Sequence, residues 1–554
     1  MKIAMAQINS TVGDLKGNMN KISKFIKAAK GLGANLVIFP ELAITGYPPQ
    51  DLLLEKGFIE NNKKALKDII DQNLVDIVGV VGFVDYKGDE LYNAAAVFKQ
   101  NKLIGIIHKS LLPTYDVFDE DRYFKPAEKI SPISVKINDK VIKLGIEICE
   151  DLWDSNYDLK VTDILVKKGA QLIVNISASP FLVGKHLERK RLLKEKAIKN
   201  QVPIFYINLI GGQDELVFDG NSMAVDRSGN LIAYAKQFDE DLVVTEISFK
   251  ESVSKRIETP KHDKTQEIFG ALVLGIRDYF RKSGFKKAVI GMSGGIDSSV
   301  TACIGVSALG KENVVGVSMP SLFSSDHSKS DAEILAENLG ICFVKVGIQN
   351  IVDCFQEALN RPLEKIRNCF GEKKENDDSV ADENIQPRIR SSILMDISNR
   401  LKKQKILVLN TGNKTEVALG FCTLYGDMAG GIGALGDVSK LEVYKLASYV
   451  NKKAGKQIIP KNVFEKKPSP ELKENQFDPF DFDIVSPLVD EIIENRRSKQ
   501  ELIGIGYPKE IVEDTYRRVR NAEYKRRQAT PSIKITPKAF GIGWKMPMVN
   551  KYRD

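Results

Sequence analysis

Three residues with reactive side chains follow apolar segments in the first half of the chain. ANLVIFPE ends in Glu41, KLIGIIHK ends in Lys109, and IKLGIEIC ends in Cys149. A cysteine thiolate is a nucleophile, a carboxylate can take the thiol proton, and a lysine can lower the thiol pKa and stabilise an oxyanion. Because strand ends at one edge of a sheet converge, we expect these residues to share one pocket. The pattern predicts nucleophilic catalysis by a cysteine.

A glycine loop in the second half could hold phosphate groups. It lies between the strand-like segment KKAVIG and a helix-like segment that begins at SSVTACIGV. Glycines let the backbone approach a phosphate, and the N-terminus of the next helix offers unpaired N–H groups and a partial positive charge. The GK[ST] ending of a Walker loop is absent. The candidate residues are Gly291, Met292, Ser293, Gly294, Gly295, Ile296, Asp297, Ser298 and Ser299.

The aspartate and the serines of this loop could also bind a metal ion, cap the helix or donate to phosphate. Asp297 can hold a metal ion or a polar loop group, while Ser298 and Ser299 can cap the helix or donate to phosphate oxygens. A lone Gly-Gly turn would usually be structural. The full S-G-G-x-D-S pattern after a strand is more specific, and it favours phosphate binding.

Two α/β halves must position these groups. Residues 1–250 alternate apolar strand candidates with the helix candidates NKISKFIKAAKGLG and ERKRLLKEKAIKN, which predicts a layered domain. Residues 251–265 are polar without apolar periodicity and are interpreted as a linker. Residues 266–554 begin with the helix IFGALVLGIRDYFRKSG, and the strands KKAVIG, VVGVSM, CFVKVG and ILVLN predict a doubly wound parallel sheet. The polar stretch 371–384 is expected to be a loop, either simply solvated or a lid over the active site.

Composition indicates the class of protein, its expected compartment and the kind of ligand it suits. The 554 residues are too many for one core, and 43% hydrophobic with 28% charged residues is typical of soluble globular domains. No apolar run approaches the roughly 18–20 residues of a membrane span, and the N-terminus does not resemble a signal peptide. The six cysteines include no CxxC pair, so a reducing cytoplasm is the expected compartment. The net charge of +8 suits an anionic ligand or an ordinary surface and gives no support for nucleic-acid binding.

The first half resembles the nitrilase superfamily. The segments FPELAITGYP, HKSLLPTYDVFDEDRYF and ICEDLW are similar to its three signatures, whose catalytic triad is Glu-Lys-Cys in that order. The resemblance implies an αββα sandwich, a glutaminase activity with Glu41, Lys109 and Cys149 as the triad, and Glu120 as a supporting glutamate. It further implies that glutamine is held by Tyr115, Ser179 and Lys185. Lys185 departs from the pattern, since arginine is typical there, and its contact to a carboxylate would be single rather than bidentate.

The second half resembles the pyrophosphate-loop ATPases, which split ATP between its α- and β-phosphates. Residues 408–440 are similar to the subfamily of NAD synthetases. By position, this resemblance implies that Thr411 contacts ATP, that Glu416 binds Mg²⁺ near the dinucleotide, and that Lys440 faces phosphate. Asp297 would be the second metal ligand. The remaining contacts to deamido-NAD would come from Asn384, Asp427 and Lys525, each in a segment similar to the family.

A nitrilase-type half joined to such an ATPase resembles the glutamine-dependent NAD synthetases. The resemblance implies ATP-dependent amidation of deamido-NAD through an acyl-adenylate, with ammonia from L-glutamine and Mg²⁺ as the metal. It also implies a homo-oligomer paired through the synthetase domains, with ammonia channelled between the two sites. The partners are small molecules, with no nucleic acid and no membrane.

Two alternatives share the pyrophosphate loop. An amidotransferase that makes GMP or asparagine needs a different glutaminase. One such type needs a cysteine at position 2, which is lysine here, and the other needs a glycine-flanked cysteine, whereas Cys149 lies in ICED. His186-Leu187-Glu188 is the only feature that favours the second type. A tRNA-modifying enzyme is the other alternative, and it would be expected to carry RNA-binding modules or paired cysteines.

Overall fold

The computed structural model describes residues 1–249, 257–258, 260, 263–371 and 379–552. The chain separates into two units, Met1–His262 and Asp263–Asp554. Most of the linker predicted at 251–265 lies outside the described residues. Its last residues belong to the second unit, because Asp263 caps a helix that begins at Lys264, four residues before the predicted start. Among the described residues, no helix is long and apolar enough to cross a membrane.

The first unit contains fourteen strands and four α-helices within the described residues. The strands are β1 (Lys2–Gln7), β2 (Leu36–Ile38), β3 (Val78–Lys87), β4 (Glu90–Lys99), β5 (Lys102–His108), β6 (Ile133–Ile137), β7 (Lys140–Ile148), β8 (Leu172–Ser177), β9 (Ile204–Asn208), β10 (Ile210–Gln213), β11 (Leu216–Asp219), β12 (Met223–Val225), β13 (Leu231–Tyr234) and β14 (Asp241–Glu246). The helices are α1 (Leu15–Gly31), α2 (Lys56–Gln72), α3 (Val161–Lys167) and α4 (Lys185–Asn200).

Two six-stranded sheets form the centre of this unit. Their strand orders are β14-β1-β2-β3-β4-β5 and β13-β12-β9-β8-β7-β6. Side chains alternate along β1, so that Ile3 and Met5 pack between the sheets while Ala4 and Ala6 face the outer helices. Helices α1 and α2 cover the first sheet, and α3 and α4 cover the second. The αββα sandwich is therefore confirmed, although α2 and α3 had no counterpart among the predicted helices.

The second unit is built on five parallel strands. They are β15 (Lys287–Gly291), β16 (Val314–Ser318), β17 (Cys342–Lys345), β18 (Ile406–Asn410) and β19 (Ile432–Gly433), in the order β17-β16-β15-β18-β19. The helices are α5 (Lys264–Ser283), α6 (Ile296–Leu309), α7 (Asp326–Leu339), α8 (Gln349–Phe370), α9 (Ser379–Arg400), α10 (Lys414–Leu419), α11 (Lys440–Ala454), α12 (Lys461–Glu465), α13 (Phe482–Ile493), α14 (Lys499–Gly504), α15 (Lys509–Asn521) and α16 (Glu523–Arg526).

Helices cover both faces of this sheet. Val289 of β15 packs with Ile385 and Ile389 of α9, whereas Ile290 points to the opposite face, toward Gly305 of α6. The doubly wound parallel sheet is thus confirmed. Chain order reverses between β15 and β18, and in such sheets ligands bind at the carboxyl ends of the strands beside that reversal.

The loop predicted at 371–384 is wrong for its last six residues. Helix α9 begins at Ser379, and residues 372–378 lie outside the described part of the chain. Asp382 accepts a hydrogen bond from Gln356 of α8, and Glu383 pairs with Lys473 at 2.9 Å. Polar composition alone misled the prediction, because an exposed helix turn can be stabilised by side-chain contacts with neighbouring segments.

Candidate functional sites

A fully buried lysine organises the first candidate site. Lys109 follows β5, and its Nζ lies 2.7 Å from Glu41 Oε1 and 2.8 Å from both carboxylate oxygens of Glu120. Burial by itself lowers the pKa of Lys109, but the charges of Glu120 and Glu41 outweigh it and raise the pKa well above its usual value. The ammonium therefore stays charged inside the pocket, held by two carboxylates.

Further donors fix both carboxylates in place. Asn93 Nδ2 donates to Glu41 Oε1 at 2.7 Å, and the backbone N–H of Ala178 donates to Glu41 Oε2 at 2.8 Å. The hydroxyl of Tyr47 donates to Glu120 Oε1 at 2.9 Å. Asn93, Ala178 and Tyr47 did not emerge from the sequence, and only the position of Tyr47 in FPELAITGYP could have pointed to it. Each carboxylate is thus held by a further donor in addition to Lys109.

Cys149 sits at a sharp turn at the end of β7. Its φ is +46°, a left-handed conformation that is strained for a residue with a side chain and is often found at active sites. The turn is held by Asp151, which accepts hydrogen bonds from the backbone N–H groups of Ile148, Ser110 and Leu111. Burial raises the pKa of Asp151 to about 7. Asp151 thereby ties the cysteine turn to the residues that follow Lys109, a role that its place in ICED did not reveal.

The thiol of Cys149 corrects one expectation from the sequence. We expected Lys109 to lower the thiol pKa. Burial and the charge of Glu41 instead raise the pKa of Cys149 well above its usual value, and the opposing effect of Lys109 is too small to reverse this. One lysine faces two carboxylates in this pocket, so the local charge disfavours a thiolate. The raised pKa favours the neutral thiol form of Cys149.

The three predicted glutamine contacts occupy different surroundings. Tyr115 is exposed, and its hydroxyl donates to Glu150 at 3.1 Å. Ser179 is buried, and its Oγ accepts a hydrogen bond from Arg189 at 3.1 Å. Lys185 opens α4 and pairs with Glu188 at 2.7 Å.

Two polar residues that the sequence did not single out complete this region. Glu150 directly follows Cys149 and accepts hydrogen bonds from Tyr115 and Tyr157. Arg189 is fully buried, where it pairs with Asp219 at 2.8 Å and donates to the Ser179 carbonyl at 3.0 Å. Arg189, four residues after Lys185, therefore holds the Ser179 loop through this hydrogen bond. Its positive charge is paired with Asp219.

The glycine loop of the second unit joins β15 to α6. Gly294 has a φ of +76°, and a Cβ placed there would lie 2.2 Å from the Ser328 carbonyl oxygen, so only glycine fits. Gly291 is the last residue of β15, and the N–H of Met292, the next residue, donates to the Val317 carbonyl at 2.9 Å. Ile296 is the first residue of α6. The motif therefore follows a strand and begins a helix, as predicted.

The serines of the loop do not cap the helix. Gly295 occupies the capping position without a side-chain cap, and the hydroxyls of Ser298 and Ser299 donate back to its carbonyl at 3.1 and 2.8 Å. Ser293 Oγ accepts from the Gly295 N–H at 3.2 Å. The capping option for Ser298 and Ser299 is wrong, because both lie inside the first turns of α6, beyond the position that a cap occupies. The N–H groups of the first turn are left for another acceptor.

A second lysine lies between two carboxylates beside this loop. Lys440, the first residue of α11, is buried, and its Nζ lies 2.5 Å from Asp297 Oδ2 and 3.4 Å from Glu416 Oε1. Asn413 connects the two acids, because its Nδ2 donates to Asp297 Oδ1 at 3.1 Å and its Oδ1 accepts from the Glu416 N–H at 3.1 Å. The structure thus brings Asp297, Glu416 and Lys440 together, with Asn413 as a link that the sequence did not reveal.

These two acids fit a magnesium ion bound together with a nucleotide. Mg²⁺ prefers carboxylate and phosphate oxygens and is usually held by one or two carboxylates plus substrate phosphates. The pKa of Glu416 is raised to about 8, because burial and the charge of Asp297 outweigh the opposing charge of Lys440. Both acids direct an oxygen at one ammonium, so a cation is favoured at this point. The described residues contain no group of three acidic, histidine or cysteine residues suited to a metal, so other ligands would be phosphate oxygens and water.

The predicted ATP contact Thr411 and the predicted dinucleotide contacts Asn384, Asp427 and Lys525 lie in or beside the segment after β18. Thr411 is half-buried there, while Asp427 accepts from the Thr423 N–H at 2.7 Å. Thr423 Oγ1 donates to Asn384 Oδ1 at 2.7 Å, which places Asn384 and Asp427 on the same threonine. Burial raises the pKa of Asp427 to about 6. Lys525 donates to the carbonyls of Gly420 and Cys422, both at 2.7 Å.

Comparisons with known protein families give one match in each of the two units. The carbon-nitrogen hydrolase family matches residues 2–256, and the NAD synthase family matches residues 268–529. The fold and sites therefore define a two-unit protein that joins a carbon-nitrogen hydrolase to an NAD synthase.

Whole-chain relatives specify this class further. Glutamine-dependent NAD(+) synthetases from Synechocystis sp. and Thermotoga maritima are 41% and 39% identical, over 99% and 100% of this chain and 99% of each relative. The structure of the Acinetobacter baumannii glutamine-dependent NAD+ synthetase in complex with ADP is 36% identical, with a TM-score of 0.76, and 99% of this chain and 98% of that chain are covered. The chain belongs to the glutamine-dependent NAD(+) synthetases. The alternatives that make GMP or asparagine or that modify tRNA are thereby set aside.

Proposed function

We propose that the first unit releases ammonia from L-glutamine and that the second unit uses it, with ATP, to amidate deamido-NAD. The observation that carries this proposal is the charged Lys109 cluster beside the strained Cys149 in a chain that also contains the pyrophosphate loop. The products are NAD, AMP, pyrophosphate and glutamate. Small-molecule substrates, a cytoplasmic setting and a homo-oligomer formed through the second unit are part of the proposal.

In the glutaminase half, Glu41 acts as the general base. As Cys149 Sγ attacks the amide carbon of glutamine, the thiol proton passes to a Glu41 oxygen, so no free thiolate has to form in advance. Lys109 faces the oxyanion of the tetrahedral intermediate, and Glu120 keeps this lysine in position. The proton returns to the leaving nitrogen, ammonia departs, and a thioester remains. Water activated by Glu41 then hydrolyses the thioester to glutamate and regenerates the thiol.

In the same half, Tyr115, Ser179 and Lys185 hold glutamine. Lys185 offers an N–H of its ammonium to the α-carboxylate of glutamine, while another N–H of the same ammonium faces Glu188. Tyr115 and Ser179 add neutral hydrogen bonds beside the nucleophile turn. Glu150 is the further residue placed to orient Tyr115.

In the synthetase half, residues 291–299 and Thr411 bind ATP. The carboxylate of deamido-NAD attacks the α-phosphorus, which forms an acyl-adenylate and releases pyrophosphate, and ammonia then displaces AMP. Asp297 and Glu416 would hold Mg²⁺, which would offset the negative charge of the phosphates. Lys440 faces the leaving pyrophosphate, while Asn384, Asp427 and Lys525 contact the dinucleotide.

The decisive test replaces the nucleophile. Cys149→Ala should lower glutamine-driven NAD formation by roughly four orders of magnitude or more, because removal of a covalent nucleophile has effects of this size. NAD formation from ammonium salts should persist, since ammonia bypasses the thioester. Both rates are measured on the same preparation, with melting temperature as the check of folding.

The matched control is Cys342→Ala, which removes an exposed cysteine of the second unit. It should behave as wild type with both nitrogen donors. Glutamine-driven synthesis retained by a folded Cys149→Ala protein would refute the glutaminase proposal. Pyrophosphate release stimulated by XMP, aspartate or tRNA instead of deamido-NAD would refute the proposed acceptor.

A further inference from the structure

A cavity of about 370 Å³ opens among the C-terminal helices of the second unit. It lies between α13, α15 and the segment after residue 537, outside the pyrophosphate loop and outside the proposed dinucleotide contacts. Its volume is at the lower end of the roughly 300–1,000 Å³ that is typical of small-molecule sites. The cavity therefore suits a compact ligand.

The polar lining of this cavity is cationic. No carboxylate belongs to the lining, which includes Arg496, Arg520, Lys538 and Lys545. Within the described part of the chain, no ion pair joins Arg496, Arg520 or Lys545 to an acidic side chain, in contrast to the neighbouring Arg497, which pairs with Glu491 at 2.6 Å. Among the described residues, Arg520 has only uncharged contacts, to Met546 Sδ at 3.5 Å and to the Tyr552 ring. Three lining cations without an acidic partner in the described structure, Arg496, Arg520 and Lys545, favour an anion in the cavity, and arginine forks match phosphate and carboxylate oxygens.

The floor of the cavity is apolar and aromatic. Tyr516 and Trp544 contribute rings, and Val519 and Met546 contribute aliphatic surface. Trp544 is oriented by a hydrogen bond from its Nε1 to Glu523 at 2.8 Å. Aromatic side chains of this kind stack on planar ligands, including nucleobases. The lining thus combines a surface for a flat ring with donors for an anion.

We propose that this cavity is a second ligand site, which binds a mononucleotide through its ring and its phosphate. The aromatic floor takes the base, and Arg496, Arg520 and Lys545 take the phosphate. This site is independent of the proposed catalytic assignments, because it shares no residue with them. A bare anion would leave the aromatic floor uncovered, and an uncharged nucleoside would leave the three cations unmatched.

Trp544 provides a local reporter of occupancy. The chain contains two tryptophans, so a Trp153→Phe background leaves Trp544 as the single indole. AMP should change its fluorescence in a saturable manner, whereas adenosine or inorganic phosphate should bind at least tenfold more weakly. The same titration in an additional Asp297→Ala variant should be unchanged, because AMP at the pyrophosphate loop would not contact Trp544.

Charge-removing variants localise the signal. Arg520→Gln and Lys545→Gln should each weaken AMP binding about tenfold or more, as expected for loss of a charge-assisted contact. Arg517→Gln is the matched control, since it lies on the same helix and pairs with Asp514 outside the cavity. The proposal is overturned if AMP produces no saturable change, if adenosine or phosphate binds as tightly, if Asp297→Ala abolishes the signal, or if Arg517→Gln weakens binding as much as Arg520→Gln. Melting temperatures confirm that each variant is folded.

Discussion

Each unit places a buried lysine between two carboxylates, and the two arrangements differ in how completely they are satisfied. Around Lys109, Glu41 is completely inaccessible and the side chain of Glu120 is only 6% exposed. Around Lys440, the side chains of Asp297 and Glu416 remain 18% and 23% exposed. Extra donors hold both acids of the first cluster, whereas among the described residues the Glu416 carboxylate contacts only Lys440, at 3.4 Å. The first cluster is closed, and the second is open to a ligand.

The difference follows from what each proposed reaction must accommodate. A thioester reaction changes charge at one oxygen and one sulfur, so a preformed cluster that hardly moves is suitable. Adenylyl transfer brings the negative charges of ATP and a metal ion into the site, so acids that are only partly satisfied and a lysine that can turn toward phosphate are suitable. We therefore expect variants in the first cluster to affect one nitrogen donor and variants in the second to affect both.

Within the two lysine–carboxylate clusters, the largest effect is expected for Asp297→Ala. This change removes a proposed metal ligand and the nearest partner of Lys440, so NAD formation should fall by about 10³-fold or more with glutamine and with ammonia alike. Glutamate release from glutamine, measured without synthetase substrates, should continue. Asp326→Ala is the control, because its side chain is 99% exposed in a surface pair with Lys329. Near-normal synthesis by folded Asp297→Ala protein would contradict the assignment.

A smaller effect with a defined pH signature is expected for Glu120→Gln. Glu120 is one of the negative charges that raise the pKa of Cys149, so its neutralisation should lower that pKa. Alkylation of Cys149 by iodoacetamide should then begin at a lower pH than in wild type. Glutaminase activity should nevertheless fall, by roughly 10²-fold, because Lys109 loses a charged partner.

The control for this shift is Glu128→Gln, whose side chain is 70% exposed and pairs with Lys87 at 3.6 Å. It should leave both the alkylation profile and the activity unchanged. An alkylation profile that moves to higher pH in Glu120→Gln would show that Glu120 does not act on the thiol through its charge. Ammonia-driven synthesis should be unaffected by either change.

Sequence patterns predicted the parts of these sites that depend on neighbouring residues. The strand before Gly291 and the helix after it follow from the local run KAVIG and from glycine conformation, and the strand ends that carry Lys109 and Cys149 follow from apolar runs. Contacts between distant segments were not predictable. Asn413 reaches Asp297 across 116 residues, and Arg189 reaches Asp219 across 30.

The thiol pKa shows the same limit in electrostatic terms. A lysine near a cysteine suggests a lowered pKa, and this holds where the lysine is the dominant charge. In this pocket the outcome depends on how many carboxylates face the same lysine and on how completely water is excluded. Neither quantity can be read from the spacing of Glu41, Lys109 and Cys149.

The smallest expected effects come from a pair of asparagines, one in each cluster, and they give the closest comparison. Asn93 donates to Glu41 at 2.7 Å, and Asn413 donates to Asp297 at 3.1 Å. Loss of one such hydrogen bond to a charged group costs about 1.5–3 kcal/mol, so each alanine variant should lower its own reaction by roughly 10- to 100-fold. Asn93→Ala should slow only glutamine-driven synthesis, whereas Asn413→Ala should slow synthesis with both donors.

Asn413 also caps α10, so its alanine variant should lose about 1 kcal/mol of stability as well. Asn413→Ser separates the two roles, because serine retains a capping oxygen but cannot supply the amide donor to Asp297. Its melting temperature should therefore stay closer to wild type while synthesis remains slow. If Asn413→Ser restored full synthesis, Asn413 would act only as the cap of α10. The hydrogen bond from Asn413 to Asp297 would then not contribute to the rate of synthesis. If Asn93→Ala slowed ammonia-driven synthesis equally, the two clusters would not be separable by nitrogen donor, and the contrast between a closed and an open cluster would fail.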